Sequence, residues 1–200
     1  MVFLCFLFSF GVLAGQQQQQ AADEPPIREE TLEEVVVSAF NTSRRLLVTP
    51  GSLTMISARQ IEQQNTPTIL PLLNLASGVY AHSGTISTSR ITIRGIGARI
   101  PYGTGKIRAY FNNIPLTNGS GLSIVEYIDP SVIERIEIIK GPATSAYGAG
   151  LGGTINITAR QPMQRANGVS NSLQMGSWGL LDNSLIMDAG SANLATSLMI

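Results

Sequence analysis

The stretch from Arg135 to Ile157, RIEIIKGPATSAYGAGLGGTINI, constrains this chain more than any other. Two alternating, β-branched runs flank a segment that holds five glycines. Such runs suit a pleated, half-buried surface, so two strands joined by an irregular glycine-rich connection are expected. Within the connection, Gly148 to Gly153 satisfies the G-x-G-x-x-G pattern of a phosphate-binding loop. That loop works by leaving a strand and opening a helix, whose N-terminal amides hold the phosphates. Here the glycines run into Thr154-Ile155-Asn156-Ile157-Thr158, which alternates as a strand does, and no Lys-Ser/Thr ending follows. A nucleotide-dependent enzyme is therefore a poor fit.

Other chemistries are limited by the residues available. Cys5 is the single cysteine and His82 the single histidine, so neither an intrachain disulfide nor a His/Cys metal site can be built. There is no G-x-S-x-G elbow, no H-E-x-x-H and no Cys/His nucleophile pair, and nothing implies a cofactor or a catalytic residue. Formal charge is zero, but residues 16–34 hold six of the thirteen acids against one base, which leaves twelve bases and seven acids from Val35 onward. The arginines are scattered from Arg44 to Arg165 instead of clustering with aromatics, so a nucleic-acid partner is not expected. With 44% apolar and 13% charged residues, the chain has enough apolar content for a core.

Met1 to Gly15, MVFLCFLFSFGVLAG, is too short for an ordinary spanning helix. It reads as a signal peptide cleaved near Ala14 to Gln16, although the usual positive n-region is missing; a buried core helix is the alternative. Residues 16–40 then read as a disordered linker, QQQQQAADEPPIREETLEE followed by a short apolar strand signal. That signal, Glu33-Glu34-Val35-Val36-Val37-Ser38-Ala39, fits either a strand that adds to another protein's sheet edge or the first strand of the following domain.

From residue 41 to 165 the pattern is that of an α+β domain. A strand over Ser52 to Ile56 precedes a capping-box helix opened by Ser57 to Gln60 and ended before Pro67. A second helical stretch, Thr68 to Ala76, brings Ile69, Leu72, Leu73 and Leu75 to one side and stops at Gly78. Arg90 to Arg94 alternates, Ile107 to Phe111 and Ile114 to Leu116 make a hairpin around Asn112-Asn113, and Asp129-Pro130 opens one helical turn before the strand Ile133 to Lys140. Residues 166–200 differ. Val169, Leu173 and Met175 alternate with Ser170, Ser172 and Gln174, and Leu181, Leu185 and Met187 with Asp182, Ser184 and Asp188, with Trp178 at the break. Strands of about ten residues with one apolar face fit an outer-membrane barrel, and equally a soluble meander.

Taken together, these features resemble the N-terminal part of a TonB-dependent outer-membrane receptor. EEVVVSA is similar to the family's TonB box, ITIRGIG from Ile91 to Gly97 to its plug motif, and IERIEIIKGPATSAYGAGLGGTINITAR from Ile133 to Arg160 to its most diagnostic plug segment. The hairpin AYFNNIPL from Ala109 to Leu116 also resembles a plug element, though Asp-Gly would be more typical at its turn. The resemblance implies an α+β plug, a small mixed sheet with short helices, followed by the first antiparallel strands of a 22-stranded barrel that is mostly missing. The glycines would then serve compact turns where backbone runs close to a barrel wall. Glu33 to Ala39 would bind the TonB energy-transducing protein, and Arg94, Arg135, Glu137 and Lys140 would hold the plug to the barrel. Loops Ala81 to Ser89 and Ala98 to Gly105, with Arg99, Tyr102 and Lys106, would meet a small anionic ligand, most simply a ferric siderophore. The implied role is energy-coupled import across the outer membrane of a Gram-negative bacterium, in contact with outer-membrane lipid. A soluble periplasmic α+β binding module is the rival reading.

Overall fold

The computed structural model describes residues 36–37, 44–45, 51–85, 88–99, 103–142, 147–148, 150, 151–162, 167–191 and 195–199. The expected signal peptide and the linker up to Val35 lie outside the described residues. Strands β1 (Val36–Val37) and β2 (Arg44–Arg45) form a small antiparallel pair. Strand β3 (Leu53–Ser57) leads into α1 (Ala58–Gln64) and α2 (Ile69–Leu73), and β4 (Val79–Thr85) with β5 (Thr88–Ile93) makes an antiparallel hairpin. Strands β6 (Ile107–Phe111), β7 (Ile114–Pro115), β8 (Ile133–Lys140) and β9 (Gly153–Ala159) join β3 in a five-stranded mixed sheet of order β3-β8-β9-β6-β7. Only β6 and β9 in it run parallel.

Register explains why these residues form this sheet. Ile136 lies opposite Ile157 and Ile138 opposite Ile155, with Ile56 and Ala109 on the neighbouring strands. This face packs with Ile69, Leu72, Leu73, Ile91 and Ile93 into one buried cluster. Each fully buried isoleucine contributes about 1.5–3 kcal/mol, so the cluster is the main source of the domain's stability. The opposite face carries Tyr110, Glu137 and Asn156 in one row across β6, β9 and β8.

The local signals read from the sequence place several elements correctly. Gln60 Oε1 accepts from the Ser57 N–H at 3.0 Å at the start of α1, and Asp129 Oδ1 accepts from the Ser131 N–H at 2.8 Å to cap a single 3-10 turn, Pro130–Val132. The second helix is shorter than expected. It ends at Leu73, and its buried residues are Ile69, Leu70, Leu72 and Leu73, whereas Leu75 is exposed. Past Leu73 the backbone tightens to bonds three residues back, Asn74 to Pro71, Leu75 to Leu72 and Ala76 to Leu73, and the Asn74 carboxamide bonds the Ala81 backbone in both directions at 3.0 and 2.7 Å. Helical spacing no longer applies there, and Ala76 takes the core position.

The Asn112-Asn113 turn needs no Asp-Gly. Both residues sit at positive φ, 48° and 66°, as the primed hairpin turn demands. Asn112 Oδ1 also accepts from the Ala159 N–H at 2.9 Å, tying the turn to the end of β9. Asn112→Ala removes that bond and a side chain tolerant of positive φ, so a loss of about 2 kcal/mol is expected by urea unfolding. No loss would show that the turn contributes nothing.

Strands β10 (Gly168–Met175), β11 (Leu181–Gly190) and β12 (Ala195–Met199) form a separate antiparallel sheet in sequence order. Its sidedness is inverted relative to a water-soluble sheet. Val169, Leu173, Met175, Leu181, Met187 and Leu198 are all exposed. The polar side turns inward, where Ser170, Ser172, Gln174, Asp182 and Ser184 line a cavity of about 300 Å³ together with Glu62, Asp129 and Arg160 of the α+β domain. Trp178 stands fully exposed in the connection between β10 and β11 at φ 64°.

Candidate functional site

The described glycines at the two ends of the Gly-rich segment serve backbone geometry. Gly141 and Gly153 have φ of 123° and 141°, and Gly153 opens a strand, not a helix. The close approach is to the domain's own strand: a Cβ on Gly153 would lie 2.3 Å from the Ile139 carbonyl oxygen. Tyr147 pins the segment to the polar face of the sheet. Its carbonyl accepts from Tyr110 Oη at 2.6 Å, and its hydroxyl accepts from Asn156 Nδ2 at 2.8 Å. Sequence reasoning passed over Tyr147, which is buried; the signal available was a single aromatic among the small residues of Ala143 to Gly150.

The four charges expected to hold the domain in place fall into two groups at different points on β8. Arg94 sits at positive φ, 50°, just after β5. Its N–H donates to the Gly78 carbonyl at 2.8 Å, and Nη1 donates to the Lys140 carbonyl at 3.3 Å. Lys140 is buried at the end of β8 and its Nζ donates to Ser77 Oγ at 3.3 Å. Nearer the start of β8, Arg135 Nε donates to Glu137 Oε1 at 2.9 Å and Nη1 to Glu134 Oε1 at 3.1 Å. Glu137 is only 1% exposed, a burial that a carboxylate tolerates when paired. These contacts all run within the α+β domain.

Burial, and secondarily the neighbouring Arg94 guanidinium, hold the Lys140 ammonium below its ordinary value of 10.5. The folded state thus disfavours the charged form, and the domain gains stability as pH rises from that lowered value toward 10.5. Arg94→Gln is expected to move the Lys140 titration upward, read by NMR of its side chain. An unchanged or lower titration would show that Arg94 does not depress it.

Of the expected ligand-side loops, Ala81 to Ser89 is not a loop but the tip of the β4–β5 hairpin, where Ala81–Thr85 ends β4 and Thr88–Ser89 opens β5 because the two runs pair in register. This hairpin and the expected second loop are stitched together. The Gly103 N–H donates to the Ser89 carbonyl at 3.0 Å and the Ser123 N–H to the Thr104 carbonyl at 3.0 Å. Ile91 N–H donates to Thr104 Oγ1 at 3.2 Å. A third loop, missed in the sequence, joins them: Asn118 Oδ1 accepts from the N–H groups of Ser120 and Leu122, and Ser123 Oγ donates to the Ile107 carbonyl and accepts from the Ala109 N–H. Arg99 and Lys106 are both exposed; Tyr102 lies outside the described residues. Of the proposed partner-binding segment, Val36 and Val37 lie in β1, with Val36 opposite Arg45 and Val37 opposite Arg44. Glu33, Glu34, Val35, Ser38 and Ala39 lie outside the described residues. Among the described residues, no group of three or more His, Cys, Asp or Glu could hold a metal ion, and no helix is long and apolar enough to cross a membrane.

Comparison with known proteins adds four findings. The family model described as "TonB-dependent Receptor Plug Domain" matches residues 45–154. The ferrioxamine receptor of Yersinia enterocolitica is 27% identical over 133 residues, covering 65% of this chain and 18% of the relative. The iron-regulated outer membrane virulence protein of Vibrio cholerae is 30% identical over 142 residues, covering 70% of this chain and 22% of the relative. Among solved structures, the ferric-catecholate import receptor Fiu from E. coli K12 matches with a TM-score of 0.64 at 22% identity, covering 83% of this chain and 24% of that one. The chain thus spans about a fifth of the length of the relatives it matches.

Proposed function

This chain belongs to the TonB-dependent receptor plug domain family, and on that premise we propose that it forms the plug and first wall strands of an outer-membrane receptor that imports an iron chelate with energy delivered by TonB. The family consists of transport receptors, not enzymes. The observation that carries the reading is the inverted sidedness of β10 to β12: an apolar outer face, with a polar inner face against the plug. Lipid accepts the first and a hydrated interior the second. A soluble periplasmic module would leave that apolar face in water, so this reading is weaker.

In the proposed mechanism residues 1–15 direct export, residues 41–165 fill a barrel that closes with 22 strands, and the wall begins at 166–200. Of the four charges expected to hold the plug, Arg94 and Arg135 keep exposed surface for contacts to wall residues. Glu137 and Lys140 are buried and act by positioning the two arginines, Glu137 through Arg135 Nε and Lys140 through its carbonyl to Arg94. The ligand rests on the loop surface, where Arg99 and Lys106 attract an anionic chelate and Tyr102 offers it a hydroxyl donor. A ferric siderophore is favoured because relatives are named for ferrioxamine and a solved neighbour for ferric catecholate, although other relatives are named for vitamin B12 and hemin. The partner takes hold of Glu33 to Ala39 by strand addition, and coupling is mechanical, with no bond in the cargo made or broken.

The test is radio-iron accumulation in iron-starved Gram-negative cells that lack their own chelate receptors and display these residues in a complete receptor. Hydroxamate and catecholate chelates, hemin and labelled vitamin B12 are offered in turn. Accumulation of an iron chelate that vanishes without TonB is expected. Import of only vitamin B12 would overturn the proposed cargo, and no TonB-dependent import of any of them would overturn the function.

A further inference from the structure

The pairing of β1 with β2 bears on how the partner is received. In this two-stranded pair β1 has β2 on one edge, and no described strand pairs with its other edge. Successive residues of a strand turn their N–H and C=O groups to opposite edges. Of Val36 and Val37, one therefore faces β2 and the other faces the edge on which no described strand lies. A short segment left to itself samples many conformations, and a partner must suppress them on binding. Residues 36–37 instead have a strand partner only a few positions downstream, Arg44–Arg45, in a defined register.

We infer that β2 presents the partner-binding segment already extended, and that TonB adds to the open edge of β1 while β2 stays in place, giving the order β2-β1-partner. The inference rests on the reading of Glu33 to Ala39 as the partner-binding segment. It goes beyond that reading by making Arg44–Arg45 a part of the binding element, although these residues need not touch the partner. A two-stranded pair this short is marginal alone, so its effect is a bias toward the extended form and not a rigid platform.

The experiment measures the affinity of the purified periplasmic domain of TonB for residues 1–200 in detergent, with Cys5 replaced by serine. Val36 and Arg45 are directly opposite, at a separation that a disulfide can bridge, so Val36→Cys with Arg45→Cys locks the pair on oxidation. The oxidised form is expected to bind at least as tightly as the same protein reduced. The double variant Arg44→Pro/Arg45→Pro, which removes the donors of β2, is expected to bind about tenfold more weakly. Binding lost on oxidation and restored by reductant would mean that β2 has to leave, and would overturn the inference, as would failure of the disulfide to form. Unchanged or tighter binding by the proline variant would overturn it too. A synthetic peptide of residues 31–40 separates the layers: if neither peptide nor parent chain binds, the underlying reading falls, whereas a binding peptide leaves the decision to the paired variants.

Discussion

Val36→Pro is expected to reduce TonB-dependent uptake to background while ligand binding at the cell surface stays within about twofold of the parent. The asymmetry follows from where the residue sits. Val36 is in β1, and strand addition depends on its backbone and not on its side chain. Proline removes one backbone N–H and fixes φ near the helical and polyproline range, which disrupts pairing on whichever edge the donor serves. The loop surface that would receive the ligand is built from Ser89, Thr104 and Ser123, none of which shares a described hydrogen bond with β1. Val36→Ala is the control, because it keeps the donor and removes only the branched side chain; uptake within a few-fold of the parent is expected. Uptake by Val36→Pro at the parent's rate would sink strand addition as the coupling contact. Loss of surface binding together with uptake would point instead to a damaged plug.

The second large effect concerns folding. Gly153→Ala is expected to destabilise the plug by about 3 kcal/mol or more, a large share of the total stability of an ordinary domain. Two penalties coincide at this position. Its φ of 141° lies where only glycine is comfortable, and the new Cβ would stand 2.3 Å from the Ile139 carbonyl oxygen and 3.3 Å from the Gly141 nitrogen. Both obstacles are backbone atoms and cannot rotate aside. Relief requires parting β8 from β9, the pair that carries Ile136 opposite Ile157 and Ile138 opposite Ile155. Gly119→Ala should be nearly silent, since nothing lies within 4 Å of its added Cβ and its φ is not in the restricted range. Thermal unfolding of the detergent-solubilised chain and protease sensitivity read the difference. Equal stability of the two variants would show that the β8–β9 junction accommodates a side chain, and would remove the structural reason given for the glycine.

Much of the fold was legible because the signals that built it are local. Alternation marked β8 and β9, Ser57 and Gln60 marked the start of α1, Asp129-Pro130 marked one turn, and Asn112-Asn113 supplied the positive φ their hairpin needs. These are properties of a few consecutive residues, and they survive in any fold that contains them. Where the reading slipped, a distant partner had intervened. Leu75 follows helical spacing from Leu72, but Asn74 bonds Ala81 and ends the regularity before Leu75 is reached. The loop at Asn118 gave little signal because its role comes from Ser123 bonding the backbone of Ile107 and Ala109 on another strand.

The sequence by itself determined the element types, the absence of Cys/His chemistry and the strand, not helix, that follows the glycines, since each depends on residue identity and near-neighbour spacing alone. It could not assign the alternating residues of 169–200 to a side, because period-two alternation is the same pattern with either face buried. Only the tertiary structure decided that, by setting the serines, Gln174 and Asp182 with Ile186 against the plug and leaving Val169, Leu173, Met175, Leu181, Met187 and Leu198 outward. It likewise decided that the charges on β8 bond first within the plug, and that Val36–Val37 is paired in cis. Each of these depends on which groups three-dimensional folding brings within hydrogen-bonding reach, and residues distant in sequence carry no local record of that.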